Sequence, residues 1–301
     1  MDPLSKKIVQ RLRRDGRAPY SQIADQLGAT RSAVASRVNA MLSSGELRII
    51  AAPHPRLLGL EVGAHISLRI SGAIQGVLRA LERMDSLSFV SVTTGPYAVV
   101  AETQLRTLQE LSLQISALRQ LERVSDVQAL VYEQVLDSFF LGPRLPREAS
   151  VKVDDTDRQI IETLRRDGRA SYDTLSREAG VSLSGSRLRL QRLLASGFIH
   201  IGAIPQRSDM TDELVFGMGI NAQGDQAEVI KLLRADPGLE FMARTIGRHD
   251  LIATLSFASL REFNRLVARV RALPSVSCCE QWLHVQLVRE RYERSIARFG
   301  A

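Results

Sequence analysis

Behind an opening Asp2–Pro3, Leu4, Ile8 and Leu12 recur at every fourth position, the spacing of one helical face, with polar residues between them. Aspartate followed by proline is a helix start, so the pattern predicts a helix to about Asp15, stopped by Gly16. Ile23, Ala24 and Leu27 mark a second, short helix from Tyr20 to Leu27, and Gly28 breaks it. Thr30 can cap a third, running to about Ser44 with Val34, Val38 and Leu42 as its inner face, and Gly45 ends it. Two helices joined by a tight glycine-containing turn, the first of them short, form a helix-turn-helix, whose later helix can enter a major groove.

The rhythm then changes. A β-prone stretch at Leu47–Ala51, closed by Pro53, reads as a wing or linker strand. Beyond it the pattern predicts a strand at Val62–Ile70, a helix at Ile74–Met84, strands at Phe89–Thr94 and Ala98–Thr103, a helix at Leu105–Leu118 and a strand at Val124–Leu136. This β-α-β-β-α-β order is ferredoxin-like, an antiparallel sheet with both helices on one face and the other face in need of cover.

The whole pattern occurs twice. LRRDGRA stands at Leu12–Ala18 and again at Leu164–Ala170, and the offset of 152 residues brings Gly28 onto Gly180, Arg37 onto Arg189, Gly45 onto Gly197 and Gly95 onto Gly247 without a gap. In the second copy Asp154 or Asp155 caps the first helix, Ile160 and Leu164 form its stripe, Ser171 caps the short helix, and Ser182 caps Leu183–Ser196. A β-prone Ile199–Ile204 and a second β-α-β-β-α-β pattern follow. A period this long is no solenoid, so each copy is expected to be a self-sufficient body. The expected fold is α+β, a tandem repeat of a winged helix-turn-helix domain and a ferredoxin-like domain. Its segments are 1–52 and 154–204 for the helix-turn-helix domains, 60–140 and 212–290 for the ferredoxin-like domains, 141–153 for a linker and 291–301 for a tail. The open sheet faces could cover each other, and the sheet edges could close within one chain or recruit another, so a homo-oligomer through these domains is expected.

Composition, 45% hydrophobic and 24% charged, is that of an ordinary globular chain. Lys6 and Lys7 precede no apolar signal core, and no uncharged apolar run approaches about 18 residues, so a cytoplasmic protein with no membrane contact is expected. Cys278 and Cys279, adjacent and without ligand-spaced partners, predict neither a disulfide framework nor a metal site, and read as reduced strand residues. The net charge of +7 is unevenly spread. Residues 1–50 hold nine Lys/Arg against four Asp/Glu, whereas residues 51–152 hold ten of each. A local positive field on a neutral body suits a polyanion such as double-stranded DNA.

DTDRQIIETLRRDGRASYDTL at Asp155–Leu175, GATRSAVASRV at Gly28–Val38, ASGFI at Ala195–Ile199 and TIGRHDLIATL at Thr245–Leu255, taken together, resemble the Lrp/AsnC family of bacterial transcription regulators. The resemblance implies DNA binding by the helix-turn-helix domains, and dimerisation and sensing of small effectors, often amino acids, by the ferredoxin-like ones. Two fused copies are unusual for that family, and a single chain would resemble its dimer.

With the core face of the third helix assigned, Arg31, Ser32, Ser36 and Asn39 are left exposed as candidate DNA contacts, with Arg37 partly structural. The second copy offers Ser184, Arg187, Arg189 and Arg192, but Gly185 sits within its helix, Ser186 takes a core position and Leu188 an exposed one. The first copy is therefore expected to supply more of the specific affinity. The sensor-like turn shows the opposite asymmetry: Gly247, Arg248, His249 and Asp250 are candidate effector residues, whereas the first copy has Gly95, Pro96, Tyr97 and Ala98. Asp250 and Arg248 could hold an amino acid's ammonium and carboxylate, and glycine and aspartate could equally be requirements of the hairpin.

Two other readings compete. An architectural protein could bridge DNA with weak sequence preference. A related group with this two-part architecture resembles siroheme decarboxylases, which need histidine-rich loops. Here His54, His65, His200, His249 and His284 are scattered singly along the chain, so no enzyme and no cofactor are expected.

Overall fold

The computed structural model describes residues 2–138, 152–205 and 214–291, with the Leu57 side chain outside the description. The proposed linker 141–153 and tail 291–301 therefore lie almost wholly outside the described residues. In chain order the first copy runs α1 (Pro3–Arg14), α2 (Tyr20–Leu27), α3 (Arg31–Ser43), β1 (Leu47–Pro53), a 3-10 turn (Pro55–Leu58), β2 (Val62–Ile70), α4 (Gln75–Glu82), β3 (Leu87–Thr93), β4 (Val99–Leu105), α5 (Leu108–Arg119) and β5 (Val124–Ser138). The second repeats it with α6 (Asp155–Arg166), α7 (Tyr172–Ala179), α8 (Leu183–Ala195), β6 (Ile199–Pro205), β7 (Leu214–Ala222), α9 (Ala227–Arg234), β8 (Leu239–Ile246), β9 (Leu251–Phe257), α10 (Leu260–Arg271) and β10 (Val276–Glu290).

The capping residues do what their chemistry predicts. Asp2 accepts hydrogen bonds from the amides of Leu4 and Ser5, and Asp154 forms a reciprocal capping box with Asp157. Thr30 and Ser182 each accept from an amide three residues on, and the turns before them pass through Gly28 and Gly180 in the left-handed region. One core position shifts. Met41, not Leu42, joins Val34 and Val38 in the core, because at 100° per residue position 41 returns to the azimuth of 34, whereas 42 lies about 80° away.

The expectation that each copy is self-sufficient is wrong. The chain divides into one unit built of both helix-turn-helix regions, residues 1–59 with 139–207, and another built of both β-rich regions, residues 60–138 with 208–291. In the first unit β1 and β6, expected as separate wings or linkers, pair with each other antiparallel, Ile50 opposite Gly202. A single short strand cannot satisfy its own backbone groups, so the copies supply each other's ladder.

The duplicated LRRDGRA is the clasp of this unit. Gly16 donates its amide to the Ile201 carbonyl at 2.8 Å, and Gly168 donates to that of Ile49 at 2.7 Å. A Cβ at Gly16 would fall 2.7 Å from the Ile49 side chain, and one at Gly168 2.8 Å from the Ile49 oxygen, so only glycine admits the strand. Arg17 donates to the carbonyls of Gly168 and Ala170 and lies over the Tyr172 ring at 5.3 Å; Arg169 donates to Gly16 and lies over Tyr20 at 4.5 Å. The repeat is thus a reciprocal arginine exchange.

In the second unit the eight strands close into a barrel in the order β10-β3-β4-β2-β5-β8-β9-β7. Each half keeps the ferredoxin-like order, and the long β5 and β10 join the halves by pairing with β8 and β3. The sheet edges close within one chain, leaving none of these strands an open ladder for a second chain. Alternation along the strands sends Ala64, Ile66 and Leu68, or Phe216, Met218 and Ile220, to the helix-covered cores. The opposite residues face the barrel interior, among them His65, Ser67, Trp282 and His284. Cys278 and Cys279 are free thiols on β10, as read from the sequence.

Candidate nucleic-acid interface

On α3, Arg31, Ser32, Ser36 and Asn39 are all exposed, and the first two stand at the helix N-terminus, where unpaired amides and the helix dipole favour a phosphate. Arg37 is half-buried, its Nε 3.6 Å from Asp2 Oδ1. Asp2 itself is held at a pKa of about 2, first by the Ser5 hydroxyl and amide and then by Arg37.

On α8 the basic residues divide. Arg189 donates to Asp154 at 2.7 Å and to Asp157 at 2.9 Å, and Arg192 donates to the other Asp157 oxygen. Asp157 is fully buried, so these two arginines neutralise a carboxylate withdrawn from water. The Asp154 carboxyl is lowered, chiefly by the Asp157 amide and then by Arg189. Arg187 stays exposed, its guanidinium 5.0 Å from the centre of the Tyr172 ring. Ser186, in the core as expected, donates its hydroxyl to the carbonyls of Tyr172 and Leu183. Ser184, Arg187, Leu188 and Gln191 form one exposed stripe at i, i+3, i+4 and i+7. Gln191 was missed in the sequence reading, although that spacing from Ser184 would have found it.

The sensor-like turn is occupied by its own neighbours. Asp250 accepts from the Ala222 amide at 2.9 Å, which fastens the β8–β9 hairpin to β7. Arg248 donates to Glu280 at 2.8 Å and lies 4.5 Å over the ring of Tyr97 from the first copy. His249 bridges Asn221 and Glu280, and burial, then Arg248, lowers its pKa. Gly247 has φ 148°, and a Cβ there would meet Leu130. Tyr97, Asn221 and Glu280, far apart in sequence, are what the hairpin's residues contact.

The histidines expected to be scattered are partly gathered. His65, His249 and His284 share the barrel interior, His65 being lowered to about 3 by burial and then by the charges of His284, Arg248 and His249. Its Nε2 has no hydrogen-bond partner, and its ring lies 5.7 Å from that of Trp282. Strand alternation on β2 and β10, together with the β8–β9 turn, achieves this convergence, which no sequence spacing could announce.

Residues 1–42 match the AsnC-type helix-turn-helix domain, and residues 153–200 match the winged helix-turn-helix DNA-binding domain. An uncharacterized HTH-type transcriptional regulator of Pyrococcus furiosus is 32% identical over 113 residues, which is 37% of this chain and 76% of that protein. The chain belongs to the Lrp/AsnC family. A further Lrp/AsnC-type relative, the HTH-type transcriptional regulator LysM of Sulfurisphaera tokodaii, is 25% identical over 124 residues, 41% of this chain and 89% of its own. Each spans less than half of the chain, as a one-unit member does against a fused pair. Among solved structures, the siroheme decarboxylase NirDL aligns over 98% of this chain and 94% of its own, with a TM-score of 0.63 at 14% identity. A second structure of that enzyme, with an iron-uroporphyrin III analogue, gives a TM-score of 0.62. At that identity the likeness is one of fold.

Proposed function

We propose that this Lrp/AsnC-family chain is a sequence-specific DNA-binding transcriptional regulator in which one chain does the work of a dimer. The observation that carries this reading is the clasped pair of helix-turn-helix modules, α3 presenting Arg31, Ser32, Ser36 and Asn39 to solvent. In this reading Arg31 and Arg187 meet phosphate or guanine, Asn39 meets adenine, and Ser32, Ser36 and Ser184 meet phosphate or base edges. Arg37, Arg189 and Arg192 act mainly by holding their helices against α1 and α6. The segment division given above belongs to this proposal, as does location in the cytoplasm; among the described residues no helix is long and apolar enough to cross a membrane. Footprinting of the full chain tests it: a discrete protected site supports a regulator, while extended or phased protection with little sequence discrimination supports a DNA-bridging protein.

The Gly247–Asp250 hairpin is the proposed effector element. Because Asp250 is spent on the hairpin, Arg248 is the group to meet an amino acid's carboxylate, exchanging Glu280 for it. Calorimetric titration with the twenty amino acids is expected to show one binder, and silence across all of them rejects an amino-acid effector. Any homo-oligomer would have to use surfaces other than the closed strand ladders.

A second reading, a siroheme-decarboxylase-like enzyme, is favoured by the convergence of His65, His249 and His284. Against it, Trp282 packs on Gly217 and His249 on Gly219, so closely that a Cβ at either glycine would collide with the ring. These rings take up interior space beside the three histidines, which counts against room for a tetrapyrrole there. A haem-like absorbance spectrum in the purified protein would revive this reading.

A further inference from the structure

At the 152-residue offset the two recognition helices share a backbone and a core but not an outer surface. Position by position, Arg31 of α3 corresponds to Leu183 of α8, Ala35 to Arg187, Ser36 to Leu188, and Asn39 to Gln191. Leu183 and Leu188 are 52% and 69% exposed. An apolar side chain that exposed stays hydrated in the free protein, so a contact that removes it from water is favourable.

The cations differ as well, for a structural reason. Asp157 of the second copy corresponds to Ser5 of the first. The buried Asp157 draws in Arg189 and Arg192, whereas in the first copy Ser5 donates its hydroxyl to Asp2, and Arg37 meets Asp2 at 3.6 Å. The outward stripe of α8 is thereby reduced to Ser184, Arg187, Leu188 and Gln191, one cation beside one large apolar group. That of α3 is Ser32, Ser36 and Asn39, with Arg31 at the helix start.

We propose that the two helices read different half-sites, so that one chain recognises a non-palindromic operator, with Leu188 packed against thymine methyl groups. This rests on the reading that the chain binds DNA through both helix-turn-helix modules. Among base edges in the major groove, the C5-methyl of thymine is the apolar feature that an exposed leucine can match, while Arg187 and Gln191 suit guanine and adenine beside it. The serine at the first copy's equivalent position meets either base type and prefers no methyl. A homodimer has to read the same word twice; a fused pair with unlike helices is free of that constraint.

The test starts by selecting bound sequences from a randomised double-stranded DNA pool with the full chain. A non-palindromic consensus, thymine-rich in one half, is expected. In that site thymine is then replaced by uracil, which removes the methyl group alone, one half at a time. Affinity is expected to fall about three- to fivefold per contacted methyl in the thymine-rich half and to hold in the other. L188S, an exposed substitution, is expected to abolish that uracil effect. A palindromic consensus, or uracil effects equal in both halves or absent from both, overturns the proposal. So does a change of oligomeric state in L188S without a change in base preference, which would make the leucine patch a contact between copies. Recovery of no preferred sequence defeats the underlying regulator reading instead.

Discussion

Gly16 and Gly168 lie against the backbone of strands contributed by the opposite copy, and neither contact tolerates a Cβ. G16A and G168A are expected to destabilise the helix-turn-helix unit by about 1–3 kcal/mol each, as overpacking does, read as a shifted midpoint in chemical denaturation. Unchanged midpoints would mean that the clasp gives way without strain. Asp157 is the other residue on which much rests. D157N would leave Arg189 and Arg192 facing a neutral group in a partly buried site, and a loss of about 2–4 kcal/mol is expected, below the full value for a buried pair because both arginines keep some solvent. These three residues look equivalent to other glycines and acids in the sequence. Their roles appear only once the opposite strand and the buried carboxylate are placed.

Helix caps, glycine stops and the inner stripes of α1, α3, α6 and α8 were legible because each depends on residues within a turn or two. The outer face of a recognition helix was legible only in part. Arg31, Ser32, Ser36 and Asn39 came out exposed as expected, whereas Arg189 and Arg192 have partners 32 to 35 residues away that no helical wheel contains. The difference gives an element-level prediction. In fluorescence-anisotropy titrations across salt concentrations, R31E and R187E should each weaken DNA binding and lower the slope of log affinity against log salt by about one, or somewhat more for the added negative charge. R31E is expected to weaken it more. Equal losses would reject the dominance of the first module. Arg189 is unsuited to that comparison, since its replacement breaks the ion-pair network that holds α8.

At the scale of the molecule, the barrel interior sets titrating groups beside an apolar cluster of Leu130, Phe241, Ala243, Ile252 and Trp282. Burial raises Glu102 to about 7, its Tyr132 contact opposes this, and Glu290 adds to it, whereas burial lowers His65 to about 3. The signs are opposite. Folded Glu102 holds its proton above the unfolded carboxyl range, so its contribution is full below about pH 4.5 and is lost as pH rises through about 7. His65 is buried neutral, so stability falls as pH drops below its unfolded value of 6.5 and continues to fall towards 3. E102Q is expected to remove about 1–2 kcal/mol of the loss seen between pH 5 and pH 8 in thermal melts, most of it between pH 5 and pH 7. An unaltered pH profile would place the titration elsewhere.

Periodicity, caps and the 152-residue echo by themselves determined the elements, their order and the fold of each half, because those depend on contacts a few residues apart or on direct repetition. Tertiary structure alone decided how the halves are used. The copies do not stand side by side as two bodies; they exchange strands, arginines and sheet edges, making one clasped DNA-binding pair and one barrel. A short strand or an open sheet cannot satisfy its own hydrogen bonds, and which partner satisfies them is a matter of space rather than of pattern.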